Sequence, residues 1–221
     1  MILIDCQKYV CYYLTMNNGK TNISNTVLRR IRAKRRGWVF TPKDFIDLGS
    51  RAAIDQTLSR LACKGLIRRL DRGLYDFPKV HPKLGSLSPG MGDLANAKAS
   101  QTGDIAFASG AMAANALGLS TQVPAKPIYA TNGKSKTANV AGKTITYKHS
   151  RVPILNSISH NANLALQALY YFGKNNITSD IIAKCAKRLD SNDLRQLNKV
   201  KPQIPSWLAD TILKIETTAY G

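Results

Sequence analysis

Apolar positions along this chain fall into a few periodic stretches, and the clearest is 51–64 (RAAIDQTLSRLACK). Ile54, Leu58 and Leu61 recur at i, i+4 and i+7, the spacing of one helical face. Ala52, Gln56, Ser59 and Cys63 are left opposite, flanked by Arg51, Asp55 and Arg60. Ser50 after Gly49 is a helix start signal and Gly65 a stop, while Thr41 before Pro42 is a second start. The pattern therefore predicts two helices meeting at a tight Gly49-Ser50 corner. Upstream, Val27, Leu28 and Ile31 predict a helix over 25–36, joined to the corner by the apolar segment Trp38, Val39, Phe40. Downstream, 66–77 reads as strands around Asp71-Arg72-Gly73, where glycine supplies the positive φ of a hairpin turn. A helical corner followed by a hairpin predicts a winged helix-turn-helix over 24–85.

The remainder, 86–221, reads as a mixed α/β C-terminal domain with a helical end, so the fold class expected for the whole chain is α+β. Pro78 and Pro82 stop the hairpin, and 79–93, with Pro89, Gly90 and Gly92, reads as linker and crossover. A short helix over 94–100, a strand at 105–107 and an alanine-rich helix over 109–119 follow. Strands are expected at 127–131, 137–140 and 143–148, joined by turns at Asn132-Gly133 and Ala141-Gly142. Helices are expected over 164–172, 180–189 and 206–217, with a short Ser191-capped turn reaching 198. Residues 1–23 fit neither domain. They read as an N-terminal extension upstream of the true start, or as a short arm packed on the body.

Charge sharpens this picture. The 221 residues carry a formal net charge of +19, which points to a polyanionic partner. Residues 24–85 hold 15 Lys+Arg against 5 Asp+Glu, whereas 86–221 hold 15 against 7, so +10 lies on 62 residues and +8 on 136. The density peaks on the expected DNA module. On the second helix of the corner, Gln56 can pair with adenine, Arg51 or Arg60 with guanine, and Ala52 can touch a thymine methyl. Ser50, Asp55 and Ser59 share that outer surface, Lys43 lies on the helix before it, and Arg68, Arg69 and Arg72 lie on the hairpin. In the first helix, Arg29, Arg32, Arg35 and Arg36 are candidate phosphate contacts that would position the reader without reading sequence. Lys184, Lys187, Arg188 and Arg195 form a further basic set for DNA, an acidic partner or plain solvation.

Catalytic readings find little material. Cys6, Cys11, Cys63 and Cys185 form no CxxC pair, and His81, His149 and His160 are isolated, so neither a zinc site nor a disulfide framework is indicated. Gly133-Lys134-Ser135 imitates the end of a P-loop, but Ile128 stands where its first glycine belongs. With 13 acidic residues and no paired-carboxylate, HExxH or Gly-x-Ser-x-Gly motif, no enzyme and no cofactor are expected. No apolar run reaches the roughly 18 residues of a membrane span, and Asp5, Gln7 and Lys8 interrupt the opening segment, so a soluble, cytoplasmic, nucleoid-associated protein is expected.

Two stretches carry a family resemblance. WVFTPKDF within 25–85 and GLSTQVPAK in the second half resemble the antitoxin of AbiE-type (type IV) toxin-antitoxin systems, in the branch with an N-terminal winged helix. The likeness covers about 25–188. It implies a bacterial, phage-defence protein that represses its own operon and opposes a nucleotidyltransferase toxin, with or without a direct complex. It implies that Arg51, Ala52, Gln56 and Arg60 fall on a recognition helix and Arg68, Arg69 and Arg72 on a wing. The expected DNA target is a duplex inverted-repeat operator. A stand-alone winged-helix transcriptional regulator and an RNA-binding module are the alternatives.

Overall fold

Val27 and Ile31, four residues apart, turn inward on helix α1 (Ile23–Ala33) of the computed structural model, which describes residues 23–155 and 157–220. The expected N-terminal extension, like Cys6 and Cys11, lies outside the described residues, except that Ile23 opens α1. Helix α1 stops three residues short of the expected Arg36, because Arg35 (φ 68°) and Gly37 (φ 98°) turn the chain into the left-handed region. Gly37 supplies the positive φ that the turn needs, and the Lys79 side chain lies close over it, 2.5 Å from where a Cβ would stand.

Strand β1 (Val39–Phe40) leads to the first element of the corner, which forms as a 3-10 helix (Pro42–Leu48) and not as an α-helix. The reason is periodicity: Pro42 and Phe45 are buried and Leu48 half-buried at i, i+3 and i+6, which a three-residue turn aligns on one edge. Asp44 fastens its start by accepting from the Thr41 amide (2.7 Å) and the Thr41 hydroxyl (3.0 Å). Helix α2 (Arg51–Cys63) follows, with Ser50 Oγ accepting from the Ala53 amide and with Ile54, Leu58 and Leu61 buried as their spacing predicts. Strands β2 (Arg68–Asp71) and β3 (Leu74–Asp76) turn at Arg72-Gly73 and complete an antiparallel sheet of order β1-β3-β2. Val27, Ile31, Phe40, Phe45, Ile54, Leu58, Leu61, Ile67 and Tyr75 form one core, in which the rings of Trp38, Phe40 and Phe45 touch. The stretch expected as a linker contains a second ribbon, β4 (Val80–His81) paired with β5 (Gly85–Ser86).

The chain divides into two units, Met1–Asp93 and Leu94–Gly221, and helix α3 (Met91–Thr102) runs through the division. The second unit has a four-stranded mixed sheet, β6 (Ala106–Ala108), β7 (Ile128–Thr131), β8 (Lys136–Val140) and β9 (Lys143–His149), in the order β6-β7-β9-β8. Asn132-Gly133 therefore does not close a hairpin, contrary to the expected run of turns. Strand β7 pairs in parallel with β9, and β8 flanks β9 on its other side. The connection from β7 to β8 passes the end of β9, where the His149 amide donates to Ser135 Oγ and the His149 ring meets the Gly133 carbonyl, both at 2.9 Å. Tyr147 on β9 is buried, donates to the Ala95 carbonyl (2.9 Å), and has its phenol pushed up to about 12 by desolvation, with Tyr129 adding to the shift.

The C-terminal end is helical. Helices α4 (Ala111–Ala116), α5 (His160–Phe172), α6 (Ser179–Arg188), α7 (Ser191–Val200) and α8 (Ser206–Tyr220) enclose one apolar core. Ala113 and Ala114 leave room for α4 to pack on α5. The turn expected after Ser191 is a full helix, and its cap is Asp190, which accepts from the Asp193 amide while Asp193 accepts from the Asp190 amide. Cys185 lies in this core, where burial pushes its thiol up to about 12.

Candidate nucleic-acid interface

Burying Ile54, Leu58 and Leu61 obliges the opposite side of α2 to face solvent, and Arg51, Ala52, Asp55, Gln56, Ser59 and Arg60 are all exposed. Arg51 Nε donates to both Asp55 carboxylate oxygens at 3.1 and 2.9 Å, an exposed i,i+4 pair of small energetic weight that still orients both side chains. Ser50 and Lys43 are also exposed. Tyr75 is buried on β3. Desolvation raises its pKa, and the charges acting on it come from Arg69 on β2 and from Asp55 and Arg51 on α2.

The three hairpin arginines differ. Arg69 and Arg72 are exposed. Arg68 points inward: its Nε and Nη2 meet the two oxygens of Asp76 at 3.0 and 2.6 Å, and Nη2 also donates to the Leu87 carbonyl at 2.9 Å. The Asp76 side chain is only 1% exposed against 34% for Arg68, so this guanidinium answers a buried carboxylate. Adjacent residues of a strand face opposite ways, which is why Arg68 and Arg69 cannot both point outward.

Arg29, Arg32, Arg35 and Arg36 are exposed along and just beyond α1. Arg36 stacks 4.8 Å from the Phe77 ring centre and donates to the Pro78 carbonyl at 3.1 Å, which fixes the stem and leaves the charge at the surface. Arg30 behaves differently. It forks onto Asp47 with two bonds of 2.6 Å and donates to the Asp44 carbonyl, tying α1 to the 3-10 helix. Its hydrogen bonds hold the Asp47 carboxyl below the usual carboxylate range.

The sequence pattern of a protein family described as "Family of unknown function (DUF6088)" matches residues 26–197. The chain belongs to the DUF6088 family. No curated protein matches it. The DUF6088 match takes in every candidate interface residue, from Arg29 to Arg72. The DUF6088 description names no activity, so the chemistry rests on the side chains themselves.

Sequence reading missed Lys79, His81 and Lys83, which the β4-β5 ribbon presents to solvent together with Val80 and Leu84. The alternation K-V-H-P-K-L was the available signal, and Pro78 before it and Pro82 within it disguised it. Elsewhere, His81 Nδ1 accepts from the Lys83 and Leu84 amides, and the His160 ring packs 5.4 Å from Phe107. Among the described residues, no group of three His, Cys, Asp or Glu side chains could hold a metal ion, and no helix is long and apolar enough to cross a membrane. In the second unit, α7 borders an open cleft of about 480 Å³ that includes Arg195, Gln196, Asn198 and Lys199. Lys184 of the basic set pairs with Asp180 at 2.7 Å.

Proposed function

We propose that this chain is a DNA-binding autorepressor and antitoxin of an AbiE-type operon, with a winged helix-turn-helix over 24–85 and a C-terminal domain over 86–221 that opposes a nucleotidyltransferase toxin. The observation that carries the DNA-binding half is the two-sidedness of α2. Its apolar seam is buried, and its outer surface offers Gln56, Ala52 and two arginines, the side-chain types that reach base edges in a major groove. Arg69 and Arg72 on the hairpin and the arginines of α1 supply positive charge for the phosphates on either side. The wing is β2-β3, and Arg68 braces it from within. On this reading the protein works in the cytoplasm at the nucleoid, with no catalytic step of its own.

The test is a binding-site selection with the full chain, followed by its own upstream duplex. Wild type is expected to prefer an inverted repeat over random duplex. Gln56→Ala is expected to relax one base position at a cost of about 1–3 kcal/mol, and Arg72→Ala to weaken all duplexes alike. Equal affinity for selected and random duplex sinks the reading, and the reverse pattern between the two variants means that helix and wing are misassigned.

The antitoxin half rests on the GLSTQVPAK resemblance and on a second unit larger than DNA binding needs. Co-expression of 86–221 with the nucleotidyltransferase encoded beside it is expected to restore growth without repressing the promoter, while 24–85 alone is expected not to rescue. Rescue by 24–85, or by neither fragment when the full chain rescues, breaks this division of labour.

A further inference from the structure

Two strands of two residues each are too short to stand alone in water, yet the β4-β5 ribbon is held at both roots. On the incoming side, Arg36 donates to the Pro78 carbonyl, and the Gly37 amide donates to the Phe77 carbonyl at 2.6 Å. On the outgoing side, Arg68 donates to the Leu87 carbonyl, and the Leu87 amide donates to the Lys79 carbonyl at 2.8 Å. The tip is equally fixed. Pro82 sets one backbone angle, His81 Nδ1 accepts from the Lys83 and Leu84 amides at 3.2 and 3.3 Å, and Gly85 (φ 70°) closes the loop.

What this braced loop displays is unusual for a surface. Leu84 is 73% exposed and Val80 59%, and Lys79, His81, Pro82 and Lys83 are exposed around them. The Lys79 stem lies across Gly37, next to Arg35 and Arg36, so the ribbon's root continues the basic surface at the end of α1. An apolar tip beside lysines is poor material for the centre of a protein interface, where lysine is depleted. It suits a duplex, whose phosphates take the lysines while an apolar side chain enters between base pairs from the minor groove.

We infer that the β4-β5 ribbon is a second DNA-contacting element, with Lys79 and Lys83 on phosphates and the Pro82-Leu84 tip wedged into a minor groove. The inference rests on the DNA-binding reading above and adds a groove, a deformation and a residue to it. Arg68 then has a positioning role: it holds the ribbon's outgoing strand without touching the nucleic acid. An inserted leucine partly unstacks one base step and bends the duplex, by roughly 20–90° in proteins that use such wedges.

The experiment uses the full chain and its own upstream duplex, prepared as a series with 2-aminopurine at successive positions. Wild type is expected to raise the fluorescence at one step, to bend the duplex in a gel-phasing assay, and to lose roughly tenfold in affinity when netropsin fills the minor groove. Leu84→Ala should abolish the fluorescence rise and the bend with an unchanged melting temperature. Lys79→Ala with Lys83→Ala should reduce the log-log salt slope by about 1.8, at about 0.9 per phosphate contact. If the duplex is bound and Gln56→Ala alters base preference, while the ribbon variants bend and unstack it as wild type does, the ribbon inference falls and the DNA-binding reading stands. If the folded full chain binds no duplex above random, both fall.

Discussion

Raising monovalent salt from 50 to 200 mM is expected to weaken binding of the full chain to its upstream duplex by about ten-thousandfold. Each neutralised phosphate releases condensed counterions and contributes about −0.9 to the slope of log affinity against log salt. On the proposed DNA-binding reading, eight exposed side chains are available for such contacts: Arg29, Arg32, Arg35, Arg36, Arg69, Arg72, Lys79 and Lys83. Their joint slope is about −7, and a fourfold rise in salt then removes about four decades of affinity. Two arginines are left out on geometric grounds, Arg30 on Asp47 and Arg68 on Asp76. Titration by fluorescence anisotropy at four salt concentrations measures the slope. A value shallower than about −3 means that most of the eight do not meet phosphate. An unchanged slope in Arg30→Ala, beside a slope shallower by about one in Arg32→Ala, confirms the sorting of paired from outward arginines.

Arg68→Ala is expected to destabilise the protein by about 3 kcal/mol, because it strands the Asp76 carboxylate in the core with its fork of donors gone. The figure sits at the low end for a broken buried pair, since the Arg68 side chain keeps 34% of its surface in water. Lysine at this position supplies charge without the planar fork, so Arg68→Lys should recover only part of the loss. Adding Asp76→Ala to Arg68→Ala should also recover part, because the unanswered charge then disappears. Urea denaturation of the four proteins decides the matter, and a loss below about 0.5 kcal/mol for Arg68→Ala would show that the pair is solvated despite its burial.

These two arginine pairs mark the limit of what residue types alone reveal. The seam Ile54, Leu58, Leu61 was legible because its period has one helical solution, and the outward set on α2 followed by elimination. Thr41-Pro42 announced a helix start truthfully but carried no information on pitch, which shows only in the burial of Pro42 and Phe45 three residues apart. Counting arginines could not separate Arg68 from Arg69, because the partner that decides, Asp76, sits across a hairpin turn. The β4-β5 ribbon hid behind Pro78 and Pro82, which look like a linker until their neighbours are seen to be tied down by Arg36 and Arg68. In the second unit, alternation located β7, β8 and β9, but an alternating strand says nothing about its neighbours in the sheet.

The crossover in that sheet bears on the order of assembly. Ala141 (φ 49°) and Gly142 (φ 76°) both lie in the left-handed region, the geometry that closes a tight hairpin, so β8 and β9 find each other across a two-residue turn. Hairpins of this kind close in about 1–10 μs. Strand β7 has a nearer neighbour in sequence, β8, across residues 132–135, which begin with an Asn-Gly pair, yet its native partner is β9, with Ile128 opposite Thr146 and Thr131 opposite His149. Had β7 and β8 paired first, β9 would have had to displace an edge already formed. In the finished sheet Asp104 packs closely against the Asn-Gly pair. Its carboxylate is bonded to Lys136 and Thr102 and lies where a Cβ on Gly133 would fall, so the native crossing is a close-fitted path for the Asn-Gly segment. The two turn-forming pairs of this half of the chain therefore end in different roles: 141–142 closes the β8-β9 hairpin, whereas 132–133 lies in a crossing past the end of β9.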